Sequence, residues 1–156
     1  MIISIKYKDD LKIDFEIDEQ DLHLVIGVRY MAAQRGDKFY LFNRETNKYF
    51  HRIVMGEPSG LVVDHIDGNP QNNKRDNLRV CKAAENLYSQ AKPKNNKTGY
   101  KGVSLCKTTK RYKASIGYQG KCLNLGRYKT IEEAALVYNN KALELFGEYA
   151  KLNDIK

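Results

Sequence analysis

Val63-Asp64-His65-Ile66-Asp67-Gly68-Asn69, continuing through Asn77-Leu78-Arg79-Val80 to Asn86, is the stretch that decides how this chain folds and acts. An aspartate and a histidine sit side by side at the end of an apolar run, Leu61-Val62-Val63. Successive side chains of a strand project to opposite faces. Asp64 and His65 can therefore serve different partners from one strand end, a metal ion and a water. A polar loop from Asp67 to Asp76 follows, then Asn77, a short strand at Leu78-Arg79-Val80, and a helix expected from Ala83 to Gln90 that carries Asn86.

These residue types suit phosphodiester hydrolysis. A hard divalent ion takes oxygen ligands, commonly one or two carboxylates or amides with waters and phosphate oxygens, and Asp64 with the amide oxygen of Asn86 supplies such a pair. The expected cofactor is Mg²⁺ or Mn²⁺, one ion per site. An attacking water needs a base that is neutral near pH 7, the range in which histidine titrates, and His65 fits. The ion would neutralise charge building on the phosphate and on the departing 3′ oxygen. Asn77, at the far end of the loop, is placed to pin the loop to the strand and to orient His65.

The pattern Asp64-His65, Asn77, Asn86 resembles the HNH nuclease motif of the ββα-metal type in its His-Asn-Asn variant. His65 to Asn77 spans 12 residues and Asn77 to Asn86 spans 9. Both spacings and the flanking Val-Asp-His-Ile-Asp-Gly-Asn and Asp-Asn-Leu-Arg-Val are similar to phage and intron-encoded members. The resemblance implies His65 as general base, Asp64 and Asn86 as metal ligands, and Asn77 as a structural orienter.

Charge divides the chain. Residues 1–90 hold 13 Lys/Arg against 14 Asp/Glu, whereas residues 91–156 hold 14 against 5 and so account for the net charge of +8. Eleven basic and no acidic residues lie between Lys92 and Lys129. That block is too rich in Tyr, Leu and Ile for a disordered tail and reads as a folded module facing a polyanion. Three cysteines (Cys81, Cys106, Cys122) without a Cys-x-x-Cys pair suggest neither a zinc knuckle nor a disulfide framework, and fit a reducing compartment. The apolar runs are too short for a membrane span, and no signal peptide is visible.

Ahead of the motif, alternation at Ile3, Ile5, Tyr7 and at Leu11, Ile13, Phe15, Ile17 predicts a hairpin broken at Asp9-Asp10. Its acidic residues would turn it away from DNA. A short helix is expected near Asp18 to Leu24, and strands at Val28–Ala33 and Phe39–Asn43 joined through Gly36-Asp37. Tyr49 to Met55 suits helix or strand equally. Within it His51 reads as packing beneath the site and Arg52 as a phosphate contact. Lys74, Arg75 and Arg79 are further candidates for the DNA backbone.

Ala91 to Lys97 reads as a basic, Pro-containing linker, extended and lying along a minor groove in the manner of basic arms. Beyond it, three strands are expected at Lys101–Cys106, Tyr112–Tyr118 and Lys121–Tyr128. Thr130-Ile131-Glu132-Glu133 is a capping box opening a helix that Gly147 ends, with Ala134, Ala135, Tyr138, Ala142 and Leu145 as its buried stripe. Tyr112, Ala114 and Ile116 should face that helix. Arg111, Lys113 and Ser115 then form a bare basic face suited to a major groove, which admits a β-ribbon.

Gly99-Tyr100-Lys101-Gly102-Val103, Tyr112-Lys113-Ala114-Ser115-Ile116, Leu125-Gly126-Arg127-Tyr128, Thr130 to Ala135 and Tyr138 make this segment similar to the Apetala/ethylene-response-factor DNA-binding domain. The resemblance implies DNA contacts from Lys101, Ser104, Arg111, Ser115 and Asn124, with Lys107, Lys113 and Lys121 nearby. Plant members carry arginine or tryptophan at several places where this chain has Lys101, Ser104, Gly117 and Asn124, so the recognised sequence does not transfer.

The expected architecture is α+β. A small β-rich HNH nuclease domain spans residues 1–90, its ββα-metal core at about 61–90. The basic linker covers 91–97. A DNA-binding domain, a three-stranded antiparallel sheet packed on one helix, covers 98–156. The expected function is a homing-type endonuclease of phage or intron kind, acting as a monomer on double-stranded DNA in the cytoplasm of a bacterial or phage-infected cell. The alternative is a non-catalytic DNA-binding regulator with a decayed nuclease fold, and the intact set Asp64, His65, Asn77, Asn86 argues against it.

Overall fold

Alternation builds the first hairpin. In the computed structural model, which describes residues 1–89 and 96–155, β1 (Ile2–Lys6) pairs antiparallel with β2 (Lys12–Glu16). Ile3 lies opposite Phe15 and Ile5 opposite Ile13, so the apolar sets share one face. Asp9 and Asp10 turn the chain with φ of 54° and 59°, a left-handed region that aspartate tolerates better than most residues. A 3₁₀ segment, Glu19–Leu24, stands where a short helix was expected.

β3 (Tyr30–Arg35) and β4 (Lys38–Asn43) form a second hairpin through Gly36-Asp37, extended by β5 (Lys48–Tyr49). Tyr49 ends the strand and Phe50–Val54 forms α1, which settles an ambiguous segment as strand then helix. β6 (Val62–His65) pairs antiparallel with β7 (Leu78–Cys81), placing Asp64 opposite Arg79 and His65 opposite Leu78. One core holds these pieces: Ile13, Phe15, Ile17, Ala32, Leu41, Phe50, Val54, Val63 and Leu78 are buried together.

The chain forms two compact units, residues 1–83 and 84–156. The helix α2 (Ala83–Ser89) begins at that division, so Asn86 belongs to the second unit. The expected linker falls largely on residues 91–95, outside the described residues.

In the second unit β8 (Val103–Cys106), β9 (Arg111–Tyr118) and β10 (Lys121–Tyr128) form an antiparallel sheet in the order β8-β9-β10. α3 (Ile131–Phe146) opens with a complete capping box: Thr130 accepts from the Glu133 N–H, and the Glu133 carboxylate accepts from the Thr130 N–H. Ala134, Ala135, Tyr138 and Ala142 are buried, joined by Asn139 and Phe146, whereas Leu145 is only partly buried. Tyr88 of α2 stacks on Phe146 with centroids 3.9 Å apart. Gly102 is required where it stands: its φ is +74°, and a side chain there would run into the Tyr138 ring.

Candidate active site

His65 ends β6 on the same side as Val63 and is 8% exposed. Its Nε2 lies 3.4 Å from Asn73 Oδ1, a long hydrogen bond. The Asn73 amide has no freedom to flip, because its NH₂ donates to the carbonyls of Pro70 and Gln71, both at 3.3 Å. Oδ1 accepts only, so the facing imidazole nitrogen must carry the proton, and Nδ1 keeps its lone pair. Burial holds the His65 pKa below 6.5, against the upward pull of the Asn73 bond and of Asp67 and Asp64. The ring is neutral at pH 7, as a base must be.

The loop between β6 and β7 is braced from inside. Asp67 accepts from the Asn69 N–H, from Asn72 Nδ2 and from Asn77 Nδ2 at 2.7, 2.9 and 3.0 Å. Partial burial pushes the Asp67 pKa up, but those bonds outweigh it and hold it below its usual value. Asn77 also accepts from the Asp67 N–H and donates to the Asn72 carbonyl. Its side chain thus closes the loop at both ends, while the side-chain contact to the imidazole comes from Asn73. Sequence reasoning passed over Asn73 because nothing in Gln71-Asn72-Asn73-Lys74 distinguishes it from its neighbours.

β2 splints the same loop from outside. The Glu16 N–H donates to the Gln71 carbonyl at 2.7 Å and the Asn73 N–H to the Glu16 carbonyl at 2.8 Å. Lys74 pairs with Glu16 at 2.7 Å. Arg75 grips Asp21 through Nε and Nη2, with contacts of 2.6 to 3.2 Å. Arg52 donates to the carbonyls of Leu61 and Pro58, fixing the entry to β6. Three cations expected at the DNA backbone are thus engaged within the protein, because each has a carboxylate or open carbonyls in reach. The acidic hairpin is the brace of the nuclease loop.

Asp64 leaves β6 on the face opposite His65, and its Oδ2 accepts from Arg79 Nε at 3.1 Å and Nη2 at 2.8 Å. Asn86 Oδ1 lies 3.5 Å from Ser89 Oγ within α2. Among the described residues no group of three or more His, Cys, Asp or Glu is placed to hold a metal. Asp64 is a carboxylate and Asn86 a carboxamide, oxygen donors of the kind a hard divalent ion takes.

His51 lies beneath the base, its ring centroid 4.8 Å from that of His65 and 5.6 Å from that of Tyr49, on which it stacks. Burial, with the charges of His65 and Arg52, lowers its pKa to about 3. The unfolded chain binds a proton here below pH 6.5 and the folded chain does not until about pH 3, so this residue's contribution is full above 6.5 and is lost as pH falls. About 1.4 kcal/mol of stability disappears through His51 by pH 5.5. Urea unfolding of wild type and His51→Phe at pH 7.5 and 5.5 checks this; equal losses in both would place the proton uptake elsewhere.

On the second unit, strand register sorts the remaining candidates. Ser104 lies opposite Lys113, Cys106 opposite Arg111, and Ser115 opposite Asn124. Lys107 and Lys121 are exposed beside them. Lys101 differs: its Nζ donates to the Tyr88 carbonyl at 2.8 Å, and burial lowers its pKa. Arg127, absent from the expected set, joins this face. Strict alternation would pair it with Leu123 and Leu125, but a bulge between Asn124 and Gly126 shifts the register and sets Arg127 opposite Lys113. Thr109, Arg111, Asn124, Gly126 and Arg127 line a concavity of about 620 Å³ there.

Residues 48–88 match the HNH endonuclease family, a span that takes in β5 through α2. The chain carries an HNH endonuclease domain, a class of divalent-metal-dependent nuclease with DNA as substrate. It is 36% identical to protein 3.8 of Escherichia phage T7 over 94 residues, 60% of this chain and 77% of that protein, and belongs to the same family. It is 39% identical over 104 residues to L560 of Acanthamoeba polyphaga mimivirus, named as an HNH endonuclease, the match covering 66% of this chain and 53% of L560. YosQ, a prophage-derived Bacillus subtilis protein named among HNH homing endonucleases, is 37% identical over 65 residues, 42% of this chain and 36% of its own length. No solved structure matches. Among the described residues no helix is long and apolar enough to cross a membrane.

Proposed function

We propose that this chain is a homing-type endonuclease that grips duplex DNA with its C-terminal sheet and hydrolyses one phosphodiester, nicking one strand as a monomer inside the bacterial or phage-infected cell. The observation that carries this reading is the neutral His65, whose Nε2–H is committed to Asn73, beside the Asp64 carboxylate. Nδ1 takes the proton of the attacking water. Asp64 and Asn86 would hold one Mg²⁺ or Mn²⁺, which when bound would supply charge neutralisation at the phosphate and the leaving oxygen. Asn77 holds the loop that keeps Asn73 in place. The products are a 5′-phosphate and a 3′-hydroxyl.

The second unit supports a DNA grip through its likeness to the Apetala/ethylene-response-factor domain and through the open face carrying Ser104, Arg111, Lys113, Ser115, Asn124 and Arg127. Lysine and serine read bases less rigidly than a bidentate arginine, so the face adds affinity more than specificity.

A plasmid assay tests the reading. Supercoiled DNA is converted to open circle by the protein with Mg²⁺ or Mn²⁺, and EDTA abolishes the conversion. DNA retained but uncut with either ion would return the decayed-regulator alternative, and nicking that survives EDTA would remove the metal from the mechanism.

A further inference from the structure

We propose that strand β4 supplies a grip on the reacting phosphate, the Tyr40 hydroxyl and the Lys38 ammonium donating to non-bridging oxygens of the phosphodiester that His65 serves. The inference rests on the reading of His65 as the base and adds two substrate-contacting residues from outside the nuclease motif.

Lys38 and Tyr40 stand two residues apart on β4 and so project from one face of its sheet. That face carries Tyr40 to the base. Its ring lies edge-on to the His65 imidazole with centroids 6.3 Å apart, and 6.1 Å from the His51 ring. Burial raises the Tyr40 pKa, and the nearby Tyr49 hydroxyl and Asp64 carboxylate raise it further. The phenol therefore keeps its proton near neutral pH and stands in the field of Asp64. Among the described residues its hydroxyl has no hydrogen-bond partner, and it is not sealed from water. A phosphate oxygen arriving there displaces only solvent.

Lys38 flanks the base from the loop side. Its Nζ donates to the Gly68 carbonyl at 2.7 Å, and the Gly68 N–H donates to the His65 carbonyl at 2.9 Å. The exposed ammonium is thus held over the turn that follows His65, and its charge opposes protonation of the imidazole. An ammonium has three N–H donors, of which the carbonyl takes one. Lys74 and Arg75 are committed to Glu16 and Asp21, whereas Lys38 has no carboxylate partner among the described residues. In-line attack sets the entering and leaving oxygens on opposite sides of phosphorus, with the non-bridging oxygens across that line. Donors beside the base reach those oxygens, and they bind more strongly as negative charge grows there.

Tyr40→Phe deletes one oxygen and keeps the ring against both histidines. Single-turnover nicking of supercoiled plasmid, with saturating protein and Mn²⁺, is expected to fall roughly 10- to 100-fold in this variant, while thermal unfolding stays as in wild type. A ring that only packs would leave Tyr40→Phe fully active and lose activity in Tyr40→Leu alone. Lys38→Met is expected to slow nicking and to lower the salt slope of DNA binding by about 1, whereas a lysine that only ties down Gly68 leaves the slope unchanged. Tyr40→Phe nicking at the wild-type rate, or Lys38→Met with the wild-type salt slope, overturns the grip. Plasmid left intact by wild type with either ion overturns it too, but through the nuclease reading beneath it, so the two failures are distinguishable.

Discussion

His65→Ala is expected to lower cleavage of bound DNA by roughly 10²–10⁴-fold, the contribution of a positioned general base, with little change in DNA affinity. The size follows from the tautomer. Asn73 is fixed by the Pro70 and Gln71 carbonyls, so it presents only an acceptor to Nε2, and Nδ1 is left as the basic atom. Among the described residues His51, which burial keeps neutral, and Tyr40 pack their rings against the imidazole, with centroids 4.8 and 6.3 Å away. Single-turnover cleavage at saturating protein separates chemistry from binding. His65→Gln, closer in volume, guards against a cavity artefact, and thermal unfolding confirms that each variant is folded. Full activity in a folded His65→Gln would remove the base from this position.

Arg75→Met is expected to cost about 3 kcal/mol of stability, because it strands a buried carboxylate. The Asp21 side chain is 1% exposed and the Arg75 side chain 43%, so the arginine is already half in water and the figure sits at the low end for such pairs. Asp21→Leu with Arg75→Met together should recover most of the loss, since a buried pair exchanged for apolar groups is often neutral. Urea unfolding of the two single variants and the double variant measures this. A loss below about 1 kcal/mol in Arg75→Met would mean that water reaches Asp21. DNA binding separates the second role expected of Arg75. A lost phosphate contact lowers the salt slope of binding by about 1, whereas an arginine committed to Asp21 leaves the slope unchanged.

Much of the architecture was legible because it is local. Alternation at Ile3, Ile5, Ile13 and Phe15 shows where hairpin strands run, and β1 and β2 form there. Thr130 and Glu133 spell a capping box, and both of its hydrogen bonds form. Asp64, His65, Asn77 and Asn86 stand at a spacing that marks a nuclease motif, and the family match covers it. Each signal lies in one short stretch of chain, the longest of them the 22 positions from Asp64 to Asn86, where backbone geometry leaves few options.

What the chain alone determined is the order of its elements, the split of its charge and the motif at the end of β6. Tertiary structure decided which asparagine faces the base, which carboxylate each loop cation holds, and which basic side chains the sheet presents. Asn73 reaches His65 because β2 presses the loop inward through Glu16. Lys101 turns to the Tyr88 carbonyl, and Arg127 reaches the open face only through a one-residue bulge. Hydrogen-bond partners distant in sequence and a register shift leave no periodic trace, since both are settled by which strands meet when the core closes.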